Sequence, residues 1–204
     1  MKLYVADYAP NPRRVRWLMA EKGITDIAVV TLDIMKGEHR DHPALTGAEA
    51  HGLPVLELDD GSYLAESLAI GRYLESLYPQ PNLFGAGARE IAEIEMWTRR
   101  VELHFGLPLM WGTRLSHPAL AVLEAPNPEA SAYFLHTAKD FAEKLEARLE
   151  GRDFICADRL TMADIVAACA ADFARIIRLR IEKDRPNLTR WLTAMRARPA
   201  AQTL

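Results

Sequence analysis

The spacing of apolar residues changes near residue 80, and the change divides the chain. Before it, short strand-like runs alternate with helical ones. Lys2 to Ala6 and Ile27 to Leu32 read as strands, the second rich in β-branched residues. Between them Val15, Leu18 and Met19 share one face of a helix that Gly23 stops. Asn11 is placed to cap that helix, with Pro12 as its first residue. Val55 to Leu58 and Tyr63 to Ala65 form a hairpin around Asp59-Asp60-Gly61, because Asp and Gly tolerate positive φ. Ile70, Tyr73, Leu74 and Leu77 then recur at helical spacing in a helix opened by Glu66-Ser67. Met35 to Ala50, with His39, Arg40, Asp41, His42 and Gly47, is polar and irregular. It reads as a surface excursion rather than core, and the pattern leaves open whether it holds a helix.

Pro79, Pro81, Gly85 and Gly87 mark a linker over 78–87. Beyond it every periodic stretch is helical. Arg89 to about Leu123 is one long helical region, interrupted at Gly106-Leu107-Pro108 and again near Gly112. Phe134, Leu135, Ala138, Phe141, Leu145 and Leu149 line one side of the next helix, which Gly151 ends. Thr161 is the N-cap of a further helix, and Asp164 three residues on makes an acidic capping box. From Met162 to about Ile177 that helix is apolar nearly all round, so it is the central buried one. Leu188, Trp191, Leu192 and Met195 face inward on a last helix begun at Pro186 and ended by Pro199. The expected organisation is an α/β domain over 1–77, the linker, and an all-helical domain over 88–204.

Composition narrows the classes. Of 204 residues, 50% are hydrophobic and 26% charged, which suits a globular chain with a sizeable core. A net charge of −3 is too small to argue for nucleic acid or an anionic membrane as partner. No apolar run reaches the roughly 18 residues of a membrane span, and the start is polar too soon for a signal peptide. Cys156 and Cys169 have neither Cys-x-x-Cys nor zinc spacing, so they read as reduced thiols in a cytoplasmic protein without a metal.

Two chemical features flank the hairpin. Pro54 opens a strand without a ladder donor, leaving the carbonyl and N–H of Leu53 at an edge. Ser67 opens a helix, where N–H groups and the dipole favour an anion. The pair suits a short peptide carrying a carboxylate; it equally describes an ordinary hairpin followed by a helix cap.

Four stretches, in this order, span nearly the whole chain: Asn11-Pro12-Arg13-Arg14-Val15, Gly52-Leu53-Pro54-Val55-Leu56, Glu66-Ser67-Leu68-Ala69-Ile70 and Leu160-Thr161-Met162-Ala163-Asp164. With them the chain resembles a cytosolic glutathione transferase of theta-like or nu-like bacterial type. The resemblance implies a thioredoxin-like first domain, an all-helical second domain, glutathione as co-substrate, a homodimer, and a role in detoxification. It also implies a cis bond before Pro54. By the same resemblance, Leu53 pairs through its main chain with the cysteinyl part of glutathione, beside Gly52 and Pro54. Glu66 holds the γ-glutamyl amine and Ser67 its carboxylate. His39 and Arg40 approach the glycyl carboxylate, unless they are solvated loop charges. The position before Leu53 is often Lys in such members; here it is Gly52.

The serine that such members aim at the thiol falls at Ala9, which has no donor. Asn11 is the first substitute, matching the asparagine that contacts sulfur in nu-like members, and it can be an N-cap as well. Tyr8 is the second, one residue off the serine register. The main-chain N–H of Asn11 or Arg13 is the third. The electrophile pocket implied by the family lies between the domains and takes Ala9, His104, Phe105, Leu107, Met110, Trp111 and Arg114, although an apolar stripe at helical spacing also reads as core. The expected reaction is thiolate attack on a small apolar electrophile. Disulfide reduction with glutathione and non-catalytic glutathione binding are the alternatives. Trp97, Arg99, Arg100 and Glu102 are candidates for the dimer face or a solvated helix face.

Overall fold

Four short strands carry the first unit: β1 (Lys2–Val5), β2 (Ala28–Thr31), β3 (Val55–Glu57) and β4 (Tyr63–Ala65). The computed structural model describes residues 1–202, and the chain divides at Pro81/Asn82 into two units. The sheet order is β2-β1-β3-β4, with β2 parallel to β1 and the other pairs antiparallel. A parallel pair needs a crossover, and α1 (Pro10–Glu21) supplies it. β1 is buried on both faces, with Leu3, Tyr4 and Val5 all inside. α1 packs against α3 (Ser67–Leu77), and Trp17, Leu18, Ile70 and Leu74 are fully buried. The arrangement is the thioredoxin-like one.

The Met35–Ala50 stretch corrects the expectation of a surface excursion. It contains a five-residue helix, α2 (Pro43–Gly47), capped by His42, whose Nδ1 accepts the Ala44 N–H at 3.2 Å. Ala44 and Leu45 are buried in a cluster with Tyr4, Leu32 and Val55. The polar residues around them hide two apolar positions that only long-range packing brings inside.

At the far end of α1, the fully buried Lys22 ammonium pairs with Glu75 at 2.7 Å. It also donates to the carbonyls of Tyr78 and Pro81 at 2.8 and 2.7 Å. One cation thus holds the ends of α1 and α3 and the segment leaving the sheet.

In the second unit, residues 82–85 are packed structure rather than linker. Leu83 and Phe84 are buried, and the Leu83 carbonyl accepts the Met162 N–H at 2.9 Å. α4 (Gly87–Val101), a π-helical turn (Glu102–Gly106) and α5 (Leu107–Arg114) follow without a break. Pro108 would collide with the carbonyl four residues before it in a regular helix. The wider turn, closed by the Leu107 N–H on the Glu102 carbonyl, absorbs the proline, so the expected interruption is a bulge. Gly112 does not interrupt the helix either. A Cβ there would lie 2.5 Å from Leu135 Cδ2 on α6 (Pro128–Arg148), so this glycine is the crossing point of α5 and α6.

α7 (Met162–Phe173) is buried from Met162 through Ala171. Asp164, fully buried, accepts from the Thr161 N–H at 3.0 Å and the Thr161 hydroxyl at 2.8 Å. It also accepts from the Ile155 N–H at 2.9 Å and from Trp191 Nε1 at 3.1 Å. The capping box therefore also ties down the preceding loop and α8 (Pro186–Arg196). Burial pushes this carboxyl up from the usual range, and the four donors oppose that. Pro199 opens a further short helix, α9 (Pro199–Gln202), instead of merely ending α8. No helix of the described residues is long and apolar enough to cross a membrane.

Candidate functional site

The strand register brings the candidate residues of the first unit to one edge of the sheet. Tyr4 faces Val55, and Val55 faces Ala65. The C-terminal end of β1, the start of β3 and the end of β4 are therefore neighbours. Parallel pairing sets Thr31 beside Val5. Four chain segments leave from this edge: Asp7 to Ala9 into α1, the loop carrying His39 and Arg40, the entry through Leu53 and Pro54, and Glu66 into α3. Residues scattered over most of the unit's length are gathered by pairing alone.

The Leu53–Pro54 peptide bond is cis. Leu53 is half-buried against the Tyr4–Leu45–Val55 cluster. Gly52 is exposed, and a Cβ placed on it would meet nothing within 4 Å. Glu66 is exposed and sits at φ 67°, ψ 117° as the N-cap of α3. A residue other than glycine held at positive φ costs about 1–3 kcal/mol, and such strain gathers where geometry matters for function. Ser67, the first residue of α3, is buried, and its Oγ accepts a hydrogen bond from Arg14 Nη1 at 3.3 Å. Arg14 itself is only 2% exposed. A buried guanidinium beneath the mouth of a helix is the feature the sequence reading passed over, although Arg14 lies one turn from Leu18 on the inner face of α1.

The start of α1 corrects the capping assignment. Ala9, not Asn11, is the N-cap, and its carbonyl accepts the Arg13 N–H at 3.2 Å. Two prolines are admissible in a first turn, because N–H groups there have no helical acceptor. With Pro10 and Pro12 at the first and third helical positions, Asn11 is the sole residue of the three with a main-chain N–H. The Arg13 N–H is engaged by the Ala9 carbonyl, and Asn11 carries, besides its main-chain N–H, a side-chain amide in the first turn. Tyr8 lies at φ 61° and is 89% exposed. His39 is half-buried and Arg40 exposed, in a run of turns that Asp33 organises by accepting the N–H groups of Met35 and Lys36.

The residues expected around an electrophile separate within the second unit. Phe105 is fully buried, 6.4 Å from the Phe141 ring, so it is core and not a pocket wall. His104 is exposed and stacks on Phe141 at 5.7 Å. Leu107, Met110, Trp111 and Arg114 are half-exposed on the side of the helix opposite Phe105, Leu109 and Thr113. The Arg114 guanidinium lies 5.2 Å from the Trp111 ring centroid. On α4, the Trp97 ring has the guanidinium groups of Arg100 and Arg148 at 5.2 and 4.7 Å from its centroid, and Arg99 pairs with Glu102.

Among the described residues no group of three potential metal ligands occurs. Both cysteines are free thiols. Burial pushes the Cys156 thiol up to about 11, so at neutral pH it is not a nucleophile.

Two family descriptions match the chain: the glutathione S-transferase N-terminal domain over residues 8–77 and the C-terminal domain over 116–199. Glutathione S-transferase 2 of Saccharomyces cerevisiae is 30% identical over 100% of this chain and 89% of its own length. Glutathione S-transferase 3 of Zea mays is 32% identical over 99% of this chain and 91% of its own. The crystal structure of Gtt2 from Saccharomyces cerevisiae superposes with a TM-score of 0.92 at 30% identity, covering 100% of this chain and 99% of that one. On fold, domain matches and full-length relatives together, the chain belongs to the glutathione transferase family.

Proposed function

We propose that this protein conjugates the thiolate of glutathione to a small apolar electrophile. One observation carries the reading. The shared register of Tyr4, Val55 and Ala65 sets a main-chain edge at Leu53, a helix mouth at Ser67 and a second helix mouth at Asn11 along one side of a single sheet. Glutathione is an extended peptide with a carboxylate at each end and a thiol in the middle. Its cysteinyl main chain suits Leu53 by strand addition, with Gly52 open beside it. Its γ-glutamyl carboxylate suits Ser67 and the α3 dipole, its amine suits Glu66, and its glycyl carboxylate suits His39 and Arg40. The sulfur is then assigned to the α1 mouth.

An ordinary thiol has a pKa near about 8.5 and is only a few per cent ionised at neutral pH. Lowering it by about two units takes roughly 2.7 kcal/mol of extra stabilisation of the anion. The dipole of a twelve-residue helix contributes part. Asn11 supplies the donors that Ala9 lacks. The thiolate attacks the electrophilic carbon; a carbon–sulfur bond forms, and the leaving group departs with its electron pair. The exposed phenol of Tyr8 stands at the same loop and is the secondary candidate. The proposed acceptor surface is the side of the second unit that carries the exposed His104 and the half-exposed Leu107, Met110, Trp111 and Arg114. A homodimer in the cytoplasm completes the proposal, and it accords with two cysteines that form no disulfide.

Asn11 in place of a hydroxyl also favours a second reading, reduction of mixed disulfides by glutathione. Purified protein assayed with glutathione and 1-chloro-2,4-dinitrobenzene, and separately with a glutathione mixed disulfide, distinguishes them. Turnover of the aryl halide supports the transferase. Turnover of the disulfide alone assigns the reductase. Binding without either turnover refutes both.

A further inference from the structure

We infer that Arg14 is a positioning residue: it acts through Ser67 to hold the γ-glutamyl carboxylate of glutathione. The inference rests on the glutathione reading above and deepens it. Arg14 belongs to the second turn of α1, yet it is 2% exposed, and Nη1 donates to Ser67 Oγ at 3.3 Å. Guanidinium stays protonated at every working pH, so a full positive charge is buried in a small α/β unit. Burying a charge carries a desolvation penalty of several kcal/mol. If the unit needed only a tie between α1 and α3, an apolar pair would serve without that penalty.

The geometry gives the charge a second use. A hydroxyl offers one donor and two acceptor sites. With an acceptor site of Ser67 taken by Arg14, its O–H is turned away from the guanidinium. Glu66 is the N-cap and makes no side-chain cap bond, so the mouth of α3 is not closed by its own chain. An anion there meets the Ser67 O–H, the N–H groups of the first turn, and behind them the Arg14 charge. The contribution is specific to the carboxylate, because a neutral group would gain nothing from the charge beneath.

The test compares glutathione with its analogue lacking the γ-glutamyl α-carboxylate, both titrated calorimetrically into the full-length protein. Arg14→Gln removes the charge and keeps a polar side chain; Arg14→Lys keeps the charge. Arg14→Gln is expected to weaken glutathione about tenfold or more, the scale of a charge-assisted contact, and the analogue less than about twofold. Arg14→Lys is expected to recover most of the loss. Equal weakening of both peptides, or of neither, overturns the inference and leaves the glutathione site intact. If the unsubstituted protein binds no glutathione, the underlying reading fails instead. Should Arg14→Gln not fold, Arg14→Lys is compared alone and in the Ser67→Ala background. A loss of about threefold that vanishes in that background supports action through Ser67, and an equal loss in both overturns it.

Discussion

Asn11→Ala is the perturbation that most sharply probes how the thiolate is made. The first three helical positions of α1 are Pro10, Asn11 and Pro12, so prolines remove two of the N–H groups that a helix mouth normally presents. The substitution deletes the side-chain amide and leaves the dipole and the Asn11 main-chain N–H in place. A hydrogen bond to a charged group is worth about 1.5–3 kcal/mol. At 1.36 kcal/mol per pKa unit, the bound thiol should rise by roughly one to two units. The sign follows: the donor stabilises the anion, so its loss raises the pKa and the thiolate fraction falls at neutral pH. With the bound thiol starting at about 6.5, activity at pH 6.5 should drop about fivefold to fiftyfold, while the two proteins converge above about pH 9, where both thiols are largely ionised. The assay is kcat/KM against pH with the aryl halide, paired with ultraviolet titration of the bound thiolate. Asn11 is not the N-cap of α1, and a urea unfolding curve run beside the assay separates any loss of stability from the change in pKa. A superimposable pH profile would refute the assignment and turn attention to the Asn11 main chain or to Tyr8.

Further outcomes follow from other parts of the molecule. Asp164→Ala strands the buried N–H groups of Ile155, Thr161 and Trp191. It should cost about 3–5 kcal/mol in urea unfolding, and a loss below about 1 kcal/mol would show that the box is ornamental to stability. With its thiol pushed up to about 11, Cys156 should be about one part in a thousand ionised at pH 8. Native alkylation by iodoacetamide should therefore be slow and should accelerate about tenfold per pH unit; rapid modification at pH 8 contradicts that environment. Gly52→Lys introduces a cation where a Cβ meets open space, and it should tighten glutathione by about threefold to tenfold at low salt, a gain that fades as salt screens it. An unchanged affinity would place the glycyl end of the peptide elsewhere.

The fold was largely legible because its signals are local. The Asp59-Asp60-Gly61 turn, the Thr161–Asp164 box and the apolar run of α7 each need only neighbours in sequence. What was misread depends on contacts from afar. Ala44 and Leu45 look like loop residues until Tyr4, Leu32 and Val55 cover them. Gly112 looks like a break until Leu135 is seen against it. Two prolines, Pro10 and Pro12, allow two starting points for α1, and only the hydrogen bond from Arg13 to Ala9 chooses. At the site, the residue types near Pro54 and Ser67 were readable from turn chemistry and helix starts. Arg14 was not, since an arginine early in a helix reads as surface; the i, i+4 step to Leu18 was the available clue. Phe105 could not be told from its neighbours by spacing alone, because the π-helical turn shifts the faces of that helix.

The central claim is that one edge of the first unit's sheet grips glutathione. Titration calorimetry of the full chain with glutathione tests it directly. The account predicts one site per chain, saturable at or below millimolar concentration, and weakened by Ser67→Ala. No detectable heat at millimolar glutathione, confirmed by an unchanged melting temperature, would contradict it.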